Sequence, residues 1–88
     1  MLSLNATPME KGTVLIVGSG GREHAISLQL AKSASVADIH VAPGNAGTSM
    51  VGSNHEVALE DIDGLCELAV RIGADLVIIG PEAPLVAG

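Results

Sequence analysis

The stretch VLIVGSGGREH, residues 14–24, decides the fold. Its first four residues are apolar without alternation, which suits a strand buried on both faces in a parallel sheet rather than one with a wet side. The glycine-rich turn at residues 18–21 ends that strand. Residues 22–32 then read as a helix, with Ala25, Ile26, Leu28, Leu30 and Ala31 spread over a broad apolar face. A strand that runs through a glycine turn into a helix brings backbone N–H groups and the positive end of the helix dipole towards an anion.

Outward from this unit, IHVA at residues 39–42 is a second strand, closed by PGNAG at residues 43–47. Residues 43–54 contain three Gly, one Pro and two Asn, which predicts a long loop of the kind that often carries function. Residues 55–59 suit a short edge strand. Ile62, Leu65, Cys66, Ala69 and Ile72 then form a helical stripe, with Asp61 as N-cap and Gly73 as the residue just past the helix. LVII at residues 76–79 is the last strand, and Pro84 suits the first turn of another helix.

This alternation predicts an α/β fold: a Rossmann-like parallel sheet of three or four strands, with flanking helices near residues 21–32 and 61–72. If strand 76–79 lies on the opposite side of strand 14–17 from the second strand, their carboxyl ends border a crevice at a topological switch point. The Gly18 turn and the segment Gly80, Pro81, Glu82 would face each other there.

Composition narrows the function classes. The 88 residues include four Lys and Arg against ten Asp and Glu, a formal charge of −6 that is the wrong sign for tracking a nucleic-acid backbone. Phe, Tyr and Trp are absent although 48% of the chain is hydrophobic, so the core must be aliphatic. No apolar run approaches the roughly 20 residues that cross a bilayer, and residues 1–12 lack the features of a targeting peptide and read as a disordered tail. A single cysteine, Cys66, excludes an internal disulfide. The expectation is a cytoplasmic protein that contacts neither membrane nor nucleic acid.

The glycine turn invites a dinucleotide reading, which two positions oppose. The pattern G-x-G-x-x-G needs glycine where Glu23 stands, and the ribose-binding acid expected after the second strand is replaced by Ala42 and Pro43. A phosphate-binding P-loop is also ruled out, since no Gly-Lys-Ser/Thr follows. Arg22 is a candidate clamp for phosphate or carboxylate, or a solvated arginine at a helix start. Glu23 is either a ligand contact or an acid favoured in the first helical turn. Glu82 is the carboxylate best placed for hydroxyls or an amine, with capping of the following helix as its structural alternative. His24 suits packing or capping, His40 and His55 stand at no metal-ligand spacing and read as structural, and Cys66 reads as a core residue.

Three segments taken together resemble one family: VLIVGSGGREH at residues 14–24, VAPGNAGT at 41–48 and GPEAPLVAG at 80–88. The chain resembles the N-terminal domain of glycinamide ribonucleotide synthetases, the phosphoribosylamine-glycine ligases, over residues 13–88. The resemblance implies a pre-ATP-grasp domain, incomplete here, in an ATP-dependent ligase of purine biosynthesis. Glycine would be activated as an acyl phosphate and attacked by the amine of 5-phosphoribosylamine. ATP with Mg²⁺ or Mn²⁺ would be the cofactor of the full-length enzyme, held by an ATP-grasp domain that these residues lack, so that this chain alone binds none and is inactive. The resemblance assigns Gly18, Gly20, Gly21, Arg22, Glu23, the loop residues Pro43, Gly44, Asn45, Gly47 and Thr48, and Gly80, Pro81 and Glu82 to the phosphoribosylamine site, with no catalytic residue and no metal ligand. Fusion to other purine-pathway enzymes stays open. The competing class is a stand-alone nucleotide-binding module or a non-catalytic interaction domain.

Overall fold

A computed structural model describes residues 12–80. Over these residues the elements are β1 (Gly12–Gly18), α1 (Gly21–Ala31), β2 (Val36–Pro43), α2 (Ala46–Ser49), β3 (Ser53–Asn54), α3 (Ile62–Ile72) and β4 (Leu76–Ile79). Gly12 opens β1; the rest of the expected tail, together with Pro81, Glu82 and the helix expected at Pro84, lies outside the described residues.

The strand order is β3-β2-β1-β4, and every pairing is parallel. β2 and β4 therefore flank β1 on opposite sides, as the switch-point reading requires. The unbroken apolar run in β1 follows from this position. Successive side chains in a strand point to opposite faces, and both faces of β1 are covered. Leu15 and Val17 pack with Ala42 and with Leu65 and Leu68 of α3, while Val14 and Ile16 pack with Ile39 and Val41 and against Ile26 and Leu30 of α1. None of the side chains of Val14, Leu15, Ile16 and Val17 is more than 4% exposed.

α3 begins where the sequence places it, with the Asp61 side chain accepting from the Gly64 N–H at 2.9 Å. It ends at Gly73, whose φ of 68° is left-handed, where glycine carries no Cβ penalty. The buried face differs from the expected stripe. Leu65, Leu68, Ala69 and Ile72 fall within about 100° of helix arc, and Cys66 lies about 60° beyond its edge. Cys66 is accordingly exposed rather than in the core, and Leu68, fully buried, takes the place assigned to it.

Two further expectations are corrected. Residues 43–54 are not simply a loop: Asn45 caps the short helix α2, its Oδ1 accepting the Thr48 N–H at 2.9 Å. The edge strand is residues 53–54, not 55–59. The His55 N–H still reaches the Val41 carbonyl at 2.8 Å, but the Val57 N–H turns back to the His55 carbonyl at 2.8 Å, which takes the chain out of the ladder. At the other edge of the described sheet, Leu76, Val77 and Ile79 of β4 are each more than 40% exposed.

Candidate functional site

The carboxyl ends of β1, β2 and β4 meet at one end of the sheet, tied by their own backbones. The Gly44 N–H donates to the Gly18 carbonyl at 3.0 Å, and the Gly80 N–H donates to the Val17 carbonyl at 2.7 Å. Glycines at three strand ends that are far apart in sequence, Gly18, Gly44 and Gly80, thus form one rim around the start of α1.

Gly20 is the N-cap of α1, and its carbonyl accepts from the N–H groups of Glu23 at 3.2 Å and His24 at 3.4 Å. The N–H groups of Gly21 and Arg22 precede the first intrahelical acceptor and have no hydrogen-bond partner among the described residues. Both residues are exposed. A Cβ added at Gly21 would meet nothing within 4 Å among the described residues, so packing does not demand glycine there. The Arg22 guanidinium forms no ion pair with a described carboxylate.

The loop after β2 is locked to this turn through Asn45. Its Nδ2 donates to the carbonyls of Ser19 at 2.8 Å and Gly20 at 3.0 Å, while its own N–H donates to Thr48 Oγ1 at 2.8 Å. The Asn54 side chain closes the loop from the other side: its Nδ2 donates to the Asn45 carbonyl at 2.8 Å, and its Oδ1 lies 2.8 Å from the Thr48 hydroxyl, which donates. Gly44 stands in the middle of this network at φ +79°, and a Cβ there would run into Asn54 Oδ1 and Thr48 Oγ1.

Glu23 lies beneath the rim rather than in the crevice. Its side chain is fully buried, Oε1 accepts the Gly20 N–H at 2.8 Å, and Oε2 has no hydrogen-bond partner among the described residues. The space for Oε2 is the missing side chain of Gly80, since a Cβ there would overlap it and lie 2.7 Å from Glu23 Cδ. A fully buried carboxylate with an oxygen unbonded among the described residues is costly, and here it links the turn after β1 to Gly80 at the end of β4.

The positions singled out in the sequence therefore separate into two groups. Gly18, Gly20, Gly21, Arg22, Gly44, Asn45 and Gly80 gather at the carboxyl ends of the strands, together with half-buried Pro43, which pairs with Gly18 in register. Glu23 and Thr48 are buried supports, and Gly47 makes room for His24, because a Cβ there would lie 2.5 Å from His24 Nδ1. His40 and His55, read separately from the sequence, are brought together: Nδ1 of His40 lies 2.8 Å from Nε2 of His55. Burial, then the charges of His40 and Arg71, lower the pKa of His55 from its ordinary value. Only the pairing of β2 with β3 juxtaposes the two rings, so linear spacing carried no signal of it. Among the described residues no cluster of three or more His, Cys, Asp or Glu side chains has the arrangement to hold a metal ion, and no helix is long and apolar enough to cross a membrane.

The phosphoribosylglycinamide synthetase N-domain model matches residues 12–88. The chain belongs to that family. It is 49% identical over 75 residues to a phosphoribosylamine-glycine ligase of Mycobacterium tuberculosis, a match that covers 85% of this chain and 18% of that protein. It is 51% identical over 80 residues to the ligase of that name from Rhodopirellula baltica, covering 91% of this chain and 18% of that one. The crystal structure of the phosphoribosylamine-glycine ligase of Thermotoga maritima superposes with a TM-score of 0.58 at 43% identity, over 84% of this chain and 17% of the solved one. The parallel α/β architecture is thus that of the N-terminal part of a ligase family, and the chain spans about 18% of the length of the curated relatives it matches.

Proposed function

We propose that this chain is the N-terminal part of a cytoplasmic phosphoribosylamine-glycine ligase, and that the rim at the carboxyl ends of β1, β2 and β4 is one wall of its 5-phosphoribosylamine site. The reaction would couple ATP hydrolysis to amide formation between glycine and the ribosylamine, giving glycinamide ribonucleotide for purine synthesis. Among the described residues no cluster of three or more His, Cys, Asp or Glu side chains could hold Mg²⁺ or Mn²⁺, and binding of ATP with its metal is assigned in this reading to an ATP-grasp domain outside these residues. No step through metal-bound ATP is derived from this part of the protein.

The reading rests on the N–H groups of Gly21 and Arg22, open among the described residues at the start of an 11-residue helix, where no described atom would meet a Cβ at Gly21. Backbone donors at a helix N-terminus suit an anion such as the ribosylamine's phosphate, and exposed Arg22 adds a cation. Asn45 and Glu23 act by fixing the turn, Asn45 through the Ser19 and Gly20 carbonyls and Glu23 through the Gly20 N–H. Glu82, two residues past Gly80, is proposed as the acceptor for the ligand's hydroxyl or amine groups.

Gly21→Ala in the intact ligase separates binding from folding. Alanine is favoured over glycine in a helix by about 0.5–1 kcal/mol, so the melting temperature should hold or rise. The added methyl stands beside the open N–H groups and should raise KM for phosphoribosylamine about tenfold or more, the loss expected when a charge-assisted hydrogen bond worth about 1.5–3 kcal/mol is broken. KM for ATP should not move. An equal rise in both KM values would contradict the assignment and favour a nucleotide-binding module.

A further inference from the structure

The His40–His55 contact belongs to no part of the anion-binding rim, yet it is wired to it. His40 sits in β2, and its register partner in β3 is Ser53; His55 follows β3 directly. The rings lie with centroids 5.0 Å apart, tilted by 32°, and the Nδ1 to Nε2 distance of 2.8 Å is that of one hydrogen bond. Such a bond needs one N–H and one lone pair. It forms when both rings are neutral or when one is protonated, and is lost when both are protonated, because two N–H groups and two positive charges then face each other.

β3 has only two residues, so its ladder holds the segment after β2 weakly. The histidine bond supplements that ladder at its end. From His55 the connection runs through the adjacent Asn54 to the Asn45 carbonyl and the Thr48 hydroxyl, and from Asn45 Nδ2 to the carbonyls of Ser19 and Gly20. We propose that His40 and His55 form a pH-sensitive clasp that holds residues 44–54 in place while at most one ring is protonated, and releases them when both are.

The groups around the pair favour release on acidification. His40 faces His55 from β2, and Arg71 faces it from the last turn of α3, so each neighbouring charge opposes protonation of His55. Asp38 and Glu56 are near in sequence but exposed, and no described carboxylate forms an ion pair with either ring. No third metal-ligating side chain joins the two among the described residues. The lowered pKa of His55 gives the sign: its neutral form is favoured in the closed structure, so this stabilisation is complete above the ordinary value of about 6.5 and is lost as the pH falls through the lowered one.

Hydrogen–deuterium exchange of the peptide spanning residues 44–55 in the full-length protein, corrected for the intrinsic pH dependence of exchange, tests the clasp between about pH 7.5 and about pH 5. Protection should fall below about pH 6.5, by at most tenfold for each pH unit by which the lower titration step lies under that value. Two variants keep a hydrogen-bonding group near the original nitrogen and remove the titration: His55→Gln for Nε2 and His40→Asn for Nδ1. Both should flatten the pH response while peptides from β1 and α3 exchange as in the parent. An unchanged pH response in both variants, or the absence of any response in the parent, would overturn the proposal.

Discussion

Replacing Gly80 with alanine should damage the protein through Glu23, a residue 57 positions earlier in the chain. Gly80 is buried, and its new Cβ would overlap Glu23 Oε2 and stand 3.0 Å from the Val17 carbonyl. The carboxylate has little freedom to yield, because it is fully buried and its other oxygen holds the Gly20 N–H at 2.8 Å. If it does yield, a hydrogen bond to a charged group worth about 1.5–3 kcal/mol is lost. If the strand end moves instead, the 2.7 Å bond from the Gly80 N–H to Val17 is lost, at about 1 kcal/mol plus the strain of overpacking. The expected cost is about 2–4 kcal/mol, a large share of the stability of a domain this small. The chain has no aromatic residue to serve as a fluorescence probe, so urea unfolding followed by far-UV circular dichroism is the assay. The decisive measurement is the cycle with Glu23→Ala. With the carboxylate gone the alanine at 80 should cost less than about 1 kcal/mol, giving a coupling of about 1–3 kcal/mol between residues in contact. Additive costs for Gly80→Ala and Glu23→Ala would refute the contact.

Gly44→Ala places a Cβ at φ +79° against Asn54 and Thr48, and should destabilise by about 2 kcal/mol or more in the same unfolding assay. Leu68→Ala, which truncates a fully buried side chain of α3, should cost about 2–5 kcal/mol, whereas Cys66→Ala on another face of the helix should stay within about 0.5 kcal/mol because Cys66 is exposed. Native protein should accordingly be labelled at Cys66 by a maleimide without denaturant, and labelling only after unfolding would contradict its placement. The isolated 88-residue chain, incubated with ATP, Mg²⁺, glycine and phosphoribosylamine, should form no glycinamide ribonucleotide; turnover above a buffer blank would show that the catalytic centre lies within it.

The sequence by itself determined the features set by neighbours along the chain. Four consecutive apolar residues before a glycine turn required a strand covered on both faces, Asp61 and Gly73 marked the ends of α3 because capping is a local hydrogen-bonding problem, and alternating strands and helices implied a parallel sheet. The triplet of short motifs carried the family in the same local way. Tertiary structure decided what depends on which surfaces meet. The stripe on α3 was legible as a period but its edge was not, since the sheet selects the arc centred on Leu65, Leu68 and Ile72 and leaves Cys66 outside it. The role of Glu23 as a buried support is set by Gly80, whose missing side chain makes the room for the carboxylate. The pairing of His40 with His55 exists only because β2 and β3 run side by side. A contact between residues distant in sequence leaves no periodic or spacing signature in the chain, and its geometry is fixed only when the strands that carry it have found their register.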